Sequence, residues 1–202
     1  MKSPNSSSVN RSFAREIRAG ITESIEAHER VLKTLVPTID RVAKRLIQAL
    51  TKGNKILLFG NGGSAADSQH IAAELIGKLK VKRRALPAIA LTTDTSALTA
   101  LANDFGYDTI FERQVEALGA AGDVAIGIST SGESPNVLAA IRAARKMRLV
   151  TIGMTGRSGG SLAALTHEAI VIPSDSTQRI QESHITIAHI LCELIENHFS
   201  HR

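Results

Sequence analysis

His70 and Glu74 stand four residues apart in the segment GNGGSAADSQHIAAEL, residues 60–75. On a helix this spacing places both side chains on one face, one turn apart. There an imidazole and a carboxylate can share a metal ion, or pair a proton-accepting base with a polarising neighbour. The same pair is common on solvated helix faces, so by itself it assigns nothing. The last helical pattern, from Gln178 to about Phe199, carries His184 and His189. At about 100° per residue the apolar arc of that helix is Ile180, Ile187, Leu191, Leu194 and Ile195. His184 falls inside the arc and is expected to be a packed, hydrogen-bonded core histidine. His189 falls opposite, with Gln181 between, and Glu182, Glu193 and Glu196 share its polar side. That face is either solvated or turned towards a neighbouring subunit and its active site.

Two loops carry chemistry of another kind. Phe59-Gly60-Asn61-Gly62-Gly63-Ser64 follows an apolar run and precedes a helical pattern. Its glycines admit close backbone approach, the helix N-terminus supplies free N–H groups, and Ser64 supplies a hydroxyl. A phosphate or sugar hydroxyls would suit it, as would a plain strand–helix turn. No GK[ST] follows and the G-x-G-x-x-G spacing is absent, so no nucleotide cofactor is implied. The second loop, Ser129-Thr130-Ser131-Gly132-Glu133-Ser134-Pro135-Asn136, sets the hydroxyls of Ser129, Thr130, Ser131 and Ser134 around one glycine at a helix start. Ordinary N-capping accounts for one hydroxyl but not four. The cluster reads as a phosphate cradle, with positive potential from the helix dipole and backbone N–H groups and no lysine required.

The elements that must position these loops are legible as a change of period. From about Phe13 to Leu50 the apolar residues recur at helical spacing, and Pro37 should start a second helix or kink a long one. Short apolar runs follow at Lys55–Gly60, Ala85–Leu91, Val124–Ser129, Leu149–Met154 and Glu168–Pro173, with helical patterns between them. Such runs predict a five-stranded parallel sheet covered on both faces, an α/β sandwich of the doubly wound kind. Ligands of such sheets bind at the carboxyl ends of the strands, which is where both loops fall. The chain divides into a helical arm, 1–50, whose apolar side needs a surface such as a partner subunit, and an α/β domain, 51–202. Residues 1–8 are Ser-rich and are expected to fray.

Composition narrows the classes. The chain has 202 residues, enough for one domain with a sizeable core. It lacks the run of about 18 apolar residues that a membrane span requires, and its N-terminus has no apolar signal segment. Cys192 is the only cysteine, so no internal disulfide forms, as suits a reducing cytoplasm. The net charge of +5 raises nucleic acid as a partner, but aromatics are only 3%, leaving little surface for base stacking. The densest basic cluster, Lys78, Lys80, Lys82, Arg83 and Arg84, reads as a solvated loop. A small anionic substrate suits the charge equally well.

Taken together, GNGGSAADSQHIAAEL (60–75), LANDFGYDTIF (101–111), GISTSGESPNV (127–137) and RIQESHITIAHILCELIE (179–196) resemble the phosphoheptose isomerases of the sugar isomerase (SIS) family. The resemblance spans almost the whole chain. It implies a flavodoxin-like sheet and a homotetramer whose active sites are completed by adjacent subunits. It implies a small sugar phosphate as substrate, with Ser129, Thr130, Ser131 and Ser134 on the phosphate. Asn61, Gly62, Gly63, Ser64, Glu74, Asn103, Asp104 and Gln181 would face the sugar. One zinc ion per subunit would be held by His70, Glu74, Gln181 and His189, with Glu74 and His189 as the catalytic acid–base pair. The implied reaction takes sedoheptulose 7-phosphate to D-glycero-D-manno-heptose 7-phosphate through an enediol, for surface heptose such as lipopolysaccharide. A second reading is a non-catalytic SIS-fold tetramer that binds the bacterial replication initiator; those relatives lack the histidine at the position of His189. Glu133 stands where the family usually has Asn, and a negative charge beside a phosphate is unfavourable unless it points to solvent.

Overall fold

The computed structural model describes residues 12–200, so the Ser-rich segment 1–8 lies outside the described residues. Two helices come first, α1 (Ala14–Thr34) and α2 (Val36–Thr51), and Pro37 sits in the first turn of α2. A proline there loses no helical hydrogen bond and arrives with its φ already set. The rest alternates: β1 (Ile56–Gly60), α3 (Gly63–Ile76), β2 (Ala88–Ala90), α4 (Thr95–Phe105), a 3₁₀ turn (Tyr107–Thr109), α5 (Glu112–Leu118), β3 (Val124–Ile128), α6 (Pro135–Lys146), β4 (Val150–Gly156), α7 (Gly160–Leu165), β5 (Glu168–Ile172) and α8 (Thr177–Ser200).

All strand pairs are parallel, in the order β2-β1-β3-β4-β5. β1 and β3 are buried at every residue, as strands covered on both faces must be. One apolar layer joins α2, α3 and α8 to one face of the sheet; Val42, Leu46 and Leu50 of α2 lie in it beside Ile187, Leu191 and Ile195 of α8. Cys192 is buried in the same layer. The other layer packs α5, α6 and α7 on the opposite face, around Phe59, Phe111 and Ile141. Against the sequence expectation, the second strand shrinks from Ala85–Leu91 to Ala88–Ala90, while the fourth runs on to Gly156. β2 is an edge strand and pairs only β1, whereas β4 is extended by β5, which pairs it as far as Gly156–Ile172. Among the described residues no helix is long and apolar enough to cross a membrane.

α1 lies along α8 and is tied to it by polar contacts. His28 Nε2 lies 3.0 Å from Thr186 Oγ1, and Arg179 Nη1 donates to the Gly20 carbonyl at 2.7 Å. Its other side stays bare: Phe13, Ile17, Ile21 and Ile25 recur every four residues and are more than half exposed.

Candidate active site

The strand order reverses between β1 and β3, and ligands of open α/β sheets bind at that switch point. Both polar loops open there, because Gly60, the last residue of β1, pairs with Ile128, the last of β3. The loops are bolted together by their amides: Asn61 and Asn136 exchange two hydrogen bonds of 2.9 Å. Gly62 has φ of 54°, a region that favours glycine, and so turns the chain sharply into α3. Gly132 has φ of 71°, and a side chain there would strike the Gly159 carbonyl.

In the second loop Ser129 Oγ lies 2.8 Å from Ser134 Oγ and 3.4 Å from Ser131 Oγ, and Ser131 Oγ accepts the Glu133 N–H at 3.2 Å. Thr130 and Ser131 are half-buried, while Ser129 is buried. The hydroxyls thus form a cluster before the first turn of α6. The Glu133 carboxylate is tied to α7. It accepts from Ser161 N at 2.6 Å and from Ser161 Oγ at 2.8 Å, at the start of that helix. These bonds hold its pKa below the usual carboxylate range.

α3 and α8 carry the other half of the site. They run side by side in the same direction: Gly63 opens against Gln181, and His70 meets His189 two turns further on. A Cβ on Gly63 would lie 2.5 Å from Gln181 Nε2, so only glycine leaves room for that amide. His70 Nε2 and His189 Nε2 are 2.8 Å apart with the rings edge to face, and Glu74 Oε1 lies 3.5 Å from His70 Nε2. Two ring nitrogens at that distance can share one hydrogen or one cation between them. One donor atom from each of His70, Glu74 and His189 falls within a set no wider than 4.8 Å. A nitrogen–nitrogen–oxygen set of this span suits a zinc ion, whose ligands lie about 2.0–2.2 Å from the metal.

His184, as expected from helical phase, is buried; its Nε2 donates to the Thr155 carbonyl at 3.1 Å, and burial pushes its pKa down to about 4. Two other assignments on this helix are corrected. Leu194, expected in the apolar arc, is exposed, and Glu196, expected on the polar side, is 1% exposed. The loop 78–84 covers the end of α8 and moves the buried side round towards Glu196. The basic cluster in that loop is likewise only partly solvated, since the Arg83 side chain is 1% exposed.

Ser64 is buried in the first turn of α3. Asn103 and Asp104, at the end of α4, are exposed and bonded to each other at 2.8 Å. The same segment reaches the first loop through Tyr107, whose hydroxyl donates to Asn61 Oδ1 at 3.1 Å. Neither Tyr107 nor Asn136 was foreseen from the sequence, because neither shows periodicity or motif spacing. Asp67, one turn before His70, was also missed. Its Oδ2 is buried and has no hydrogen-bond partner among the described residues, and burial raises its pKa against the pull of His70.

Comparison with known proteins fits this geometry. The SIS domain family model matches residues 21–156. A phosphoheptose isomerase of Aquifex aeolicus is 58% identical, with 86% of this chain and 91% of that one covered. The chain belongs to the phosphoheptose isomerases of the SIS domain family. Solved phosphoheptose isomerases superpose closely. One from Neisseria gonorrhoeae is 46% identical with a TM-score of 0.88, over 92% of this chain and all of that one. One from Francisella tularensis is 36% identical with a TM-score of 0.89, over 93% of this chain and all of that one.

Proposed function

We propose that the protein isomerises sedoheptulose 7-phosphate to D-glycero-D-manno-heptose 7-phosphate, supplying heptose for surface polysaccharide such as lipopolysaccharide. The observation that carries the reading is the meeting of His70, Glu74 and His189 between α3 and α8, in a fold whose switch point opens on a hydroxyl-lined loop fit for phosphate. It favours an enzyme over a SIS-fold scaffold for the replication initiator, which has no use for His189.

The phosphate sits on Ser129, Thr130, Ser131 and Ser134, and the sugar lies over Asn61, Gly62, Gly63 and Ser64, with Asn103, Asp104 and Gln181 at its hydroxyls. The ionised Glu74 carboxylate takes the proton from C1, and the C–H electrons form the C1–C2 double bond. His189 gives a proton to O2, producing the enediol. Glu74 then returns its proton to C2, the O1–H proton passes to His189, and C1 becomes the aldehyde. No redox or nucleotide cofactor enters this balance. His70, Glu74, Gln181 and His189 would hold one zinc ion per subunit. Zinc, when bound, supplies Lewis-acid stabilisation of negative charge on the sugar oxygens.

The arm, residues 1–50, assembles a homotetramer in the cytoplasm, and each active site of the 51–202 domain is completed at a subunit interface. The bare stripe on α1 supports this reading.

The test is an aldose–ketose assay with purified protein across sugar phosphates, alongside Glu74→Gln and Ser131→Ala. Glutamine keeps the shape but cannot take a proton, and loss of a general base costs about 10²–10⁴-fold in rate. Glu74→Gln should therefore lower kcat, and Ser131→Ala should mainly raise KM. A Glu74→Gln enzyme with near-normal kcat, or His184→Ala abolishing turnover while His189→Ala is silent, would refute the assignment.

A further inference from the structure

The two halves of the site lie on separate helices, α3 and α8, and something must fix their separation. The apolar layer packs the two helices directly, through Ile71, Ala72 and Leu75 on α3 and Ala188, Leu191 and Cys192 on α8, and a second set of contacts, polar and buried, lies beyond the site, where the chain leaves α3. Glu196, on α8 two turns past His189, is 1% exposed. Its carboxylate takes three consecutive backbone N–H groups of the loop: Leu79 at 2.9 Å, Lys80 at 2.7 Å and Val81 at 3.1 Å. Burial works against its charge, but these N–H groups and Arg83 outweigh it and keep the pKa low. Arg83, whose side chain is 1% exposed, lies with Nε 3.9 Å from the same carboxylate. Its other nitrogens turn on the end of α3 and the loop that follows. Nη2 donates to the carbonyl of Glu74 at 2.6 Å, and Nη1 donates to those of Gly77 and Arg84 at 2.9 Å each. The last carbonyls of a helix have no partner within it, so Arg83 caps α3 at the very residue that carries the proposed base. Glu74, Arg83 and Glu196 also lie close enough together to bear jointly on the ionisation of Cys192.

We propose that Arg83 and Glu196 are positioning residues for the isomerisation. They form a buried brace that locks the end of α3 to α8 and so holds Glu74 and His70 against His189. The proposal rests on the reading that these three residues form the reacting centre. Arg83 acts through the backbone of Glu74, and Glu196 acts through the loop that carries Arg83. The guanidinium fork is needed because its two Nη atoms hold the carbonyls of Glu74, Gly77 and Arg84 while its charge stays beside the Glu196 carboxylate, with Nε lacking a hydrogen-bond partner among the described residues; an ammonium cannot span these carbonyls. The phosphate loop belongs to β3 and α6, outside the brace, so substrate affinity should be largely spared.

Arg83→Lys keeps the charge and the stem but loses the fork, and Glu196→Gln keeps the shape but turns an N–H group towards the loop N–H groups. Misplacement of a reacting group by about 1 Å can cost 10²-fold in rate. Both variants should form tetramers like the parent, with kcat lowered about 10–100-fold and KM for the sugar phosphate little changed. Zinc affinity, titrated calorimetrically on the metal-stripped tetramer, should weaken in parallel. A crystal structure of Arg83→Lys should show Glu74 withdrawn from His70 and His189. Wild-type kcat and zinc affinity in both variants, with only the melting temperature lowered, would overturn the brace and leave it a stabilising contact. If Glu196→Gln does not fold, Arg83→Lys carries the test. If the parent protein neither isomerises sugar phosphates nor binds zinc, the proposed function fails, and the crystal structure still decides whether the brace sets the geometry: an unmoved Glu74 overturns it.

Discussion

A single buried ring illustrates how strongly environment sorts residues of one type. His184 and His189 sit on the same helix five residues apart. One is sealed against the Thr155 carbonyl, the other faces His70 across the α3–α8 groove. Sealing has a measurable consequence for stability. The pKa of His184 is about 4 in the folded protein, against about 6.5 for an unfolded chain. Between these values the unfolded state binds more protons, so stability rises with pH. The contribution is fully present above about pH 6.5 and drains as pH falls towards 4, by up to about 3 kcal/mol. Urea denaturation at pH 7 and pH 4.5 should show this loss, and His184→Met should flatten it even while lowering stability at pH 7. Equal slopes in the two proteins would place the acid sensitivity elsewhere.

At the scale of elements, the phosphate loop is held from behind. Glu133 reaches from the loop to Ser161 at the start of α7, so two elements that follow different strands share one carboxylate. If this tie shapes the hydroxyl cluster, Glu133→Ala should raise KM for the sugar phosphate, by about tenfold or less for loss of a charge-assisted bond, with kcat nearly unchanged. A lower KM would instead mean that the carboxylate repels the phosphate. The sequence made the loop itself visible, since four hydroxyls around one glycine exceed what capping needs. It could not make the tie visible, because Glu133 and Ser161 are brought together only by the order of the strands. The same division runs through the chain. The strands were legible because fully buried parallel strands are almost uniformly apolar. The second strand was overdrawn because the apolar run Ala85–Leu91 begins before β1 does: Ala88 pairs with Ile56, the first residue of β1, so Ala85–Pro87 precede the ladder. Helical phase separated His184 from His189 correctly, yet misplaced Leu194 and Glu196. Phase locates one face of a helix, whereas burial depends on what covers it, and the covering loop 78–84 has no periodicity to read.

At the scale of the whole molecule, a self-sufficient α/β core carries a helix with one side too many. α1 binds α8 through His28 and through Arg179, yet presents Phe13, Ile17, Ile21 and Ile25 to solvent, each 55–59% exposed. Contiguous apolar surface of this kind marks an interaction site. With a second copy as the occupant, the protein should sediment at four times its 21.5 kDa chain mass. Ile17→Asp combined with Ile21→Asp should shift it to smaller species, and turnover should fall with assembly if neighbouring subunits complete the sites. A monomeric parent at micromolar concentration would sink the idea, as would a charged double variant that still assembles.

The one cysteine gives this architecture an internal clock. Cys192 is 3% exposed in the apolar layer beneath α8, and burial together with the nearby carboxylates pushes its thiol up to about 12. Since the thiolate is the nucleophile, the folded chain is doubly protected from alkylating reagents, by access and by protonation. Labelling can then proceed only from states in which α8 has parted from the sheet. The rate at which an unmodified sample consumes such a reagent thus counts openings of the layer on which the α3–α8 groove is built, with no probe to introduce and no second thiol to confuse the signal.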